Sequence, residues 1–170
     1  MYGAHFAFVW RSARRLGVAE GSLDDVAQET FIVVHRQLAH FERRSSLKTW
    51  LFGIVVNIVR AHRRSMRARP TQPLADGTTG AAEIRDAAPQ PHDVAARAEA
   101  ARLVERILDA LDEGKREVFV LAELEQMTAP DIAAALGLPV NSVYSRLRLA
   151  RQEFAAAAAR HRAKDERRIR

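Results

Sequence analysis

The chain has 170 residues, 48% of them hydrophobic and 28% charged, no cysteine and a formal net charge of +6. That apolar share can bury a core in water, the missing cysteines exclude disulfides and thiolate metal sites and fit a reducing cytoplasm, and no apolar run nears the roughly 18 residues of a membrane span. The basic balance favours a polyanionic partner, with twelve Lys and Arg against five Asp and Glu in residues 1–69, and acids before Asp131 followed by bases from Arg146 onward in the last third.

Helical spacing begins at once, with a first helix predicted over residues 2–16 and ended by Gly17. Residues 1–10 contain His5 and no basic leader with a cleavage site, which predicts a soluble, unprocessed chain. Ser22 is placed to cap a second helix with Asp25 at its third position, a capping box, and Val26, Ala27, Thr30, Phe31, Val34 and Leu38 follow at helical spacing. A polar loop over residues 40–46 leads to a third helix, capped by Ser45 or Ser46, whose apolar stripe is Leu47, Leu51, Ile54, Val55 and Ile58. Pro70, Pro73, Pro89 and Pro91, with Gly77 and Gly80 and almost no large apolar residues, then predict a flexible linker. The resulting division is a first module at 1–69, a linker at 70–94, a second module at 95–160 and a basic tail at 161–170 that frays.

The second module opens with Leu103, Val104, Ile107, Leu108 and Leu111, pauses at Gly114 and resumes with Val118, Phe119, Leu121, Ala122 and Leu124, which fits two short helices. Residues 128–136, the turn Gly137-Leu138-Pro139 and residues 140–160 then read as helix, tight turn, helix. Apolar and polar residues alternate nowhere for long, so the predicted fold is all-α: a three-helix bundle and a helix-turn-helix domain joined by the linker.

The helix-turn-helix carries the strongest functional signal. Ala133 supplies the small residue where two helices cross, Gly137 the residue for positive φ, and Ile132, Leu136, Leu138 and Val143 a shared core. Its second helix presents Asn141, Ser142, Tyr144, Ser145, Arg146 and Arg148, with Arg151 extending the basic run, to phosphates and base edges of duplex DNA. On the third helix, Asn57, Arg60, Arg64 and Arg67 fall opposite the apolar stripe, with Arg63 on the flank. Like charges at this spacing repel, so an anionic partner is expected. Phe41, Arg43, Arg44, Lys48 and Trp50 combine rings that stack on unpaired bases with charges that hold a backbone, although each ring reads equally well as a core anchor. Asp24, Asp25, Gln28 and Glu29 taken alone complement a helix dipole. The six histidines lack ligand spacing and there is no glycine-rich phosphate loop, so no catalytic residue, metal, cofactor or small-molecule substrate is predicted, and the chain is not expected to be an enzyme or to enter a membrane.

Together, Asp24-Asp25-Val26-Ala27-Gln28-Glu29-Thr30-Phe31, Leu47-Lys48-Thr49-Trp50-Leu51 with the arginines beyond Asn57, and the helix-turn-helix resemble an extracytoplasmic-function sigma factor of bacterial RNA polymerase over nearly the whole chain. The resemblance implies that the two modules are the family's second and fourth domains. It implies that Asp24, Asp25, Gln28, Glu29 and Phe31 dock on the clamp helices of the polymerase largest subunit, overriding the dipole reading. The loop from Phe41 to Lys48 and the face from Asn57 to Arg64 would melt promoter DNA and hold a flipped, single-stranded base, while the helix-turn-helix reads a more distant element as duplex. RNA polymerase core and promoter DNA are thus the implied partners, an anti-sigma factor is a further one, and a stress or envelope regulon is the implied output. The family pattern differs in two respects: the chain starts at Met1-Tyr2-Gly3, later than is usual, which is expected to reflect either a missing part of the first helix or an alternative start, and the connector is long. The residues alone leave open a self-sufficient helix-turn-helix regulator acting as a dimer, and a helical adaptor that binds no DNA.

Overall fold

The computed structural model describes residues 2–42, 45–68 and 91–169, with side-chain surroundings for 5–42, 45–68 and 98–164. All regular elements among them are helical. The predicted linker lies outside the described residues up to 90; from Pro91 the chain is already helical.

The first module follows from three amphipathic segments. Helix α1 (Tyr2–Arg15) ends where Gly17 takes φ +88 and lets the chain reverse. Helix α2 (Leu23–Gln37) buries Leu23, Val26, Ala27, Thr30 and Val34. It is not entered through the predicted Ser22 capping box. Ser22 closes a 3₁₀ turn, Glu20–Ser22, with helical backbone angles, so its side chain makes no cap hydrogen bond and the Leu23 N–H goes to the Glu20 carbonyl instead. Helix α3 (Leu47–Ala68) is capped by Ser46, whose Oγ accepts from the Thr49 N–H at 3.0 Å. The three helices pack pairwise around Val9, Leu16, Leu23, Phe52 and Val55.

The second module begins with α4 (Pro91–Asp109), longer than the short helix predicted. The pause falls before Gly114, not at it: Asp112 accepts from the Lys115 N–H and caps α5 (Glu113–Phe119), which contains Gly114. A π-helical turn, Val120–Leu124, widens the end of α5, and Gln126 follows at φ 58. Then α6 (Ala129–Leu136), capped by Thr128, turns through Gly137 at φ 65 into α7 (Val140–Ile169). Ile132, Leu136 and Val143 are buried between them, as the helix-turn-helix reading requires. The tail predicted to fray continues α7 to Ile169, making a helix of 30 residues. Arg116 ties α4 to α5 by donating from Nε to the Leu108 carbonyl at 2.6 Å and from Nη2 to Asp109 at 2.9 Å.

The modules also pack on each other: α3 lies between the first module's core and α6. Beyond the predicted stripe, Phe52, Val56 and Val59 are buried as well, with the Phe52 ring edge-on to Phe8 of α1. A Cβ added at Gly53 would stand 3.6 Å from the Ala135 carbonyl oxygen, so the two backbones meet closely there.

Candidate nucleic-acid interface

Three surfaces carry the residues singled out from sequence. The first is the outer side of α2, where Asp24, Asp25, Gln28 and Glu29 are exposed in the first two turns. Trp10 Nε1 donates to Asp24 Oδ1 at 3.3 Å, which fixes the start of the row, and Phe31 is half-buried with its ring stacked on Phe6. Below the acids, Gln28, Phe31, Ile32, His35 and Arg36 line a shallow depression of about 300 Å³. Ile32, 44% exposed, is the residue that sequence reasoning missed here. Its signal was a large apolar side chain four residues beyond Gln28, on a face otherwise polar.

The second surface is the start of α7. Asn141, Tyr144, Ser145 and Arg148 point outward, with Tyr144 58% exposed. Ser145 Oγ donates back to the Asn141 carbonyl at 3.0 Å, and Ser142 is half-buried at the turn. The other two bases are committed within the module. Arg151 pairs with Glu123 at 2.7 Å, and the half-buried Arg146 lies over Gly114 at the start of α5.

The third surface departs from expectation. Asn57 and Arg64 are exposed on one line of α3, but Arg60, Arg63 and Arg67 turn toward the second module. Gly53, Arg60 and Arg67 are spaced seven apart and therefore share the line that faces α5 and α6. Arg60 grips Glu117 with two hydrogen bonds, 2.9 and 2.6 Å, and this pairing holds its guanidinium above the ordinary arginine range against the opposing effect of burial. Arg67 reaches Glu113 at 2.5 Å; Arg63 Nη1 stands 3.7 Å from the same carboxylate, within attraction but too far to bond. At the other end of α3, Lys48 Nζ donates to the Glu125 carbonyl at 2.9 Å and lies 3.1 Å from its carboxylate. Phe41 and Trp50 are both half-buried and tilted on each other at 5.0 Å, so each ring has one side packed and another accessible. Arg43 and Arg44 lie outside the described residues.

The description "Sigma-70 region 2" matches residues 1–69 and "Sigma-70, region 4" matches residues 101–154. RNA polymerase sigma factor CnrH of Cupriavidus metallidurans is 35% identical over 156 residues, 89% of this chain and 81% of that protein. ECF RNA polymerase sigma factor SigC of Mycobacterium tuberculosis is 32% identical over 159 residues, 88% of this chain and 77% of that protein. The chain belongs to the extracytoplasmic-function sigma factors of bacterial RNA polymerase.

A solved structure of CnrH in complex with the cytosolic domain of CnrY covers 93% of this sigma factor and 84% of that chain, with 32% identity and a TM-score of 0.64. As a sigma factor, the protein directs RNA polymerase to promoters. Among the described residues of this sigma factor no helix is long and apolar enough to cross a membrane, and no group of three His, Asp or Glu is arranged to hold a metal ion.

Proposed function

We propose that this sigma factor divides promoter recognition between its modules and takes hold of polymerase through α2. Asp24, Asp25, Gln28 and Glu29, with Phe31 and Ile32 beneath them, present charge beside an apolar depression, which is the composition of a protein-binding patch with a polar rim. Asn141, Ser142, Tyr144, Ser145 and Arg148 read duplex DNA, with Arg146 and Arg151 lending charge from the flank. Phe41, Trp50, Asn57 and Arg64, with Arg43, Arg44, Lys48, Arg60 and Arg63, receive an unpaired strand. The observation that carries the reading is the outward row Asn141, Tyr144, Ser145 and Arg148 at the start of a helix whose other side is packed on α5 and α6. An anti-sigma partner belongs to the same reading, supported by the solved complex of CnrH with the cytosolic domain of CnrY. The cytoplasm, where polymerase works, is the site of action.

Reconstitution with core polymerase tests this. Asp25→Arg is expected to abolish binding to core and all promoter-selective transcription. Arg148→Ala should retain core binding and lose promoter use by roughly tenfold or more, the effect of one DNA contact. Full activity of both variants overturns the assignment, and tight sequence-specific binding by a dimer without polymerase would favour a self-sufficient regulator.

A further inference from the structure

Among the described residues, three of the six exposed large apolar side chains stand within the first ten residues of α7: Val140, Tyr144 and Leu149. Single apolar residues scattered over a surface need no explanation, but three on one short stretch do. Their placement is regular. Val140, Tyr144 and Arg148 form one row at a spacing of four, and Asn141, Ser145 and Leu149 form the row beside it. All six are exposed, so apolar groups and hydrogen-bonding groups share one outward face.

Leu149 is the member whose exposure has no polar explanation. Tyr144 carries a hydroxyl that can bond a phosphate and Val140 merely opens the helix, whereas Leu149, 39% exposed, offers only carbon. Long side chains three residues before and four after would ordinarily lay their stems over it. Both are held elsewhere. Arg146 lies over Gly114, and Glu153 accepts from Lys115 Nζ at 2.7 Å. One residue further, Phe154 stacks on Phe119 at 4.7 Å, while Leu147 and Ala150 are buried. Helix α7 is thus fixed on α5 along one flank, and Leu149 stands uncovered beside Ser145.

We propose that Leu149 reads a thymine of the duplex element, its methyl groups closing on the C5-methyl of one T·A pair in the major groove. The inference rests on the reading of the start of α7 as the duplex-DNA surface. Asn141, Ser145 and Arg148 then take polar base edges and phosphates on either side. The C5-methyl is the one alkyl group on a major-groove edge, and it marks thymine among the four bases. A phosphate offers a leucine nothing. One leucine bordered by Ser145, Arg146, Gln152 and Glu153 is also too small an apolar area to anchor a protein interface, and it is the right size for a single methyl.

Thymine and uracil differ by that methyl alone, which makes a specific test. A duplex pool with a randomised segment, selected on the full chain joined to core polymerase, supplies the bound element, and each of its thymines is replaced in turn by deoxyuridine. With the unsubstituted chain, one replacement is expected to weaken binding about fourfold, the effect of one buried methyl, and the others to do less. Leu149→Ala sits at an exposed helical position that favours alanine, so the fold is retained. It should bind the selected element about tenfold more weakly and lose the response to that one replacement, because the methyl and the leucine act as a pair. Leu149→Met, which keeps an apolar end, should retain the response. A selected element without thymine overturns the proposal, and so do replacements that are all silent or a thymine response that survives Leu149→Ala. Loss of core binding in Leu149→Ala with the thymine response intact would assign the residue to a protein contact instead. Failure of the duplex reading itself would look different: Arg148→Ala would then bind the whole element as well as the unsubstituted chain does.

Discussion

Gly17 and Gly137 both hold positive φ, but a methyl group added at each meets different surroundings. At Gly137 nothing lies within 4 Å of the new carbon, so Gly137→Ala costs only the backbone penalty of a left-handed alanine, about 1 kcal/mol. At Gly17 the carbon would stand 1.7 Å from Arg116 Nη1, and the guanidinium that bonds Leu108 and Asp109 must leave its place. Gly17→Ala is therefore expected to cost roughly 2–4 kcal/mol, the backbone penalty plus the loss of charge-assisted hydrogen bonds. In an Arg116→Ala background the same change should fall to about 1 kcal/mol, the backbone part alone. Urea unfolding of the four proteins measures this, and an equal penalty in both backgrounds would remove Arg116 from the account. Gly17 was legible as a stop because glycine so often ends helices. Its second duty, making room for an arginine a hundred residues away, has no signature in the local sequence.

Caps separate what local pattern reveals from what it only suggests. Ser22 and Ser46 look alike in sequence, each preceding an apolar helical stripe, yet only Ser46 has the hydroxyl aligned on a helix N–H. Ser46→Ala is expected to cost about 1 kcal/mol and Ser22→Ala a few tenths, read as midpoint shifts in urea; a larger loss at Ser22 would contradict the 3₁₀ entry to α2. The same contrast runs through the fold. Helices α1 to α3 and the α6–α7 pair were predictable because each has a stripe that packs inside its own module, and because Gly137 is required by the turn itself. Phe52, Val56 and Val59 were present in the sequence and assigned to nothing, since the predicted stripe followed one line of α3 and left out the flank on which Phe52 meets Phe8. Gly114 was taken as a break on glycine propensity, whereas Asp112 sets the helix start two residues earlier. The tail was judged by its charge, but Ala, Arg, Lys and Glu are good helix formers and α7 runs through it. For the candidate site, residue identities were legible and their directions less so: the row on α2 and the start of α7 face outward as expected, while Arg60, Arg63 and Arg67 do not.

For the molecule as a whole, the question is whether two modules behave as one cooperative unit. One hydrophobic cluster runs from Val9 through Phe52 to Ile132 and Ala150, so buried apolar contact continues across the α3–α6 seam. The rest of the seam is ionic: an exposed pair such as Arg67 with Glu113 weakens as salt shortens the screening length to about 3 Å near 1 M, while the pairs on the deeply set Glu117 and Glu125 are screened much less. A strong seam makes the two modules one cooperative unit, and a weak one leaves them independent. Calorimetry separates these cases. The unsubstituted chain at low salt is expected to unfold in a single transition, because losing one module exposes apolar surface and unpaired charge on the other. Glu117→Gln with Glu125→Gln should divide it into two transitions with the earlier one lowered by several degrees, since each lost kilocalorie moves the midpoint of a small domain by roughly 4–8 °C. Two separate transitions in the unsubstituted protein at low salt would mean that the seam transmits no stability between the modules.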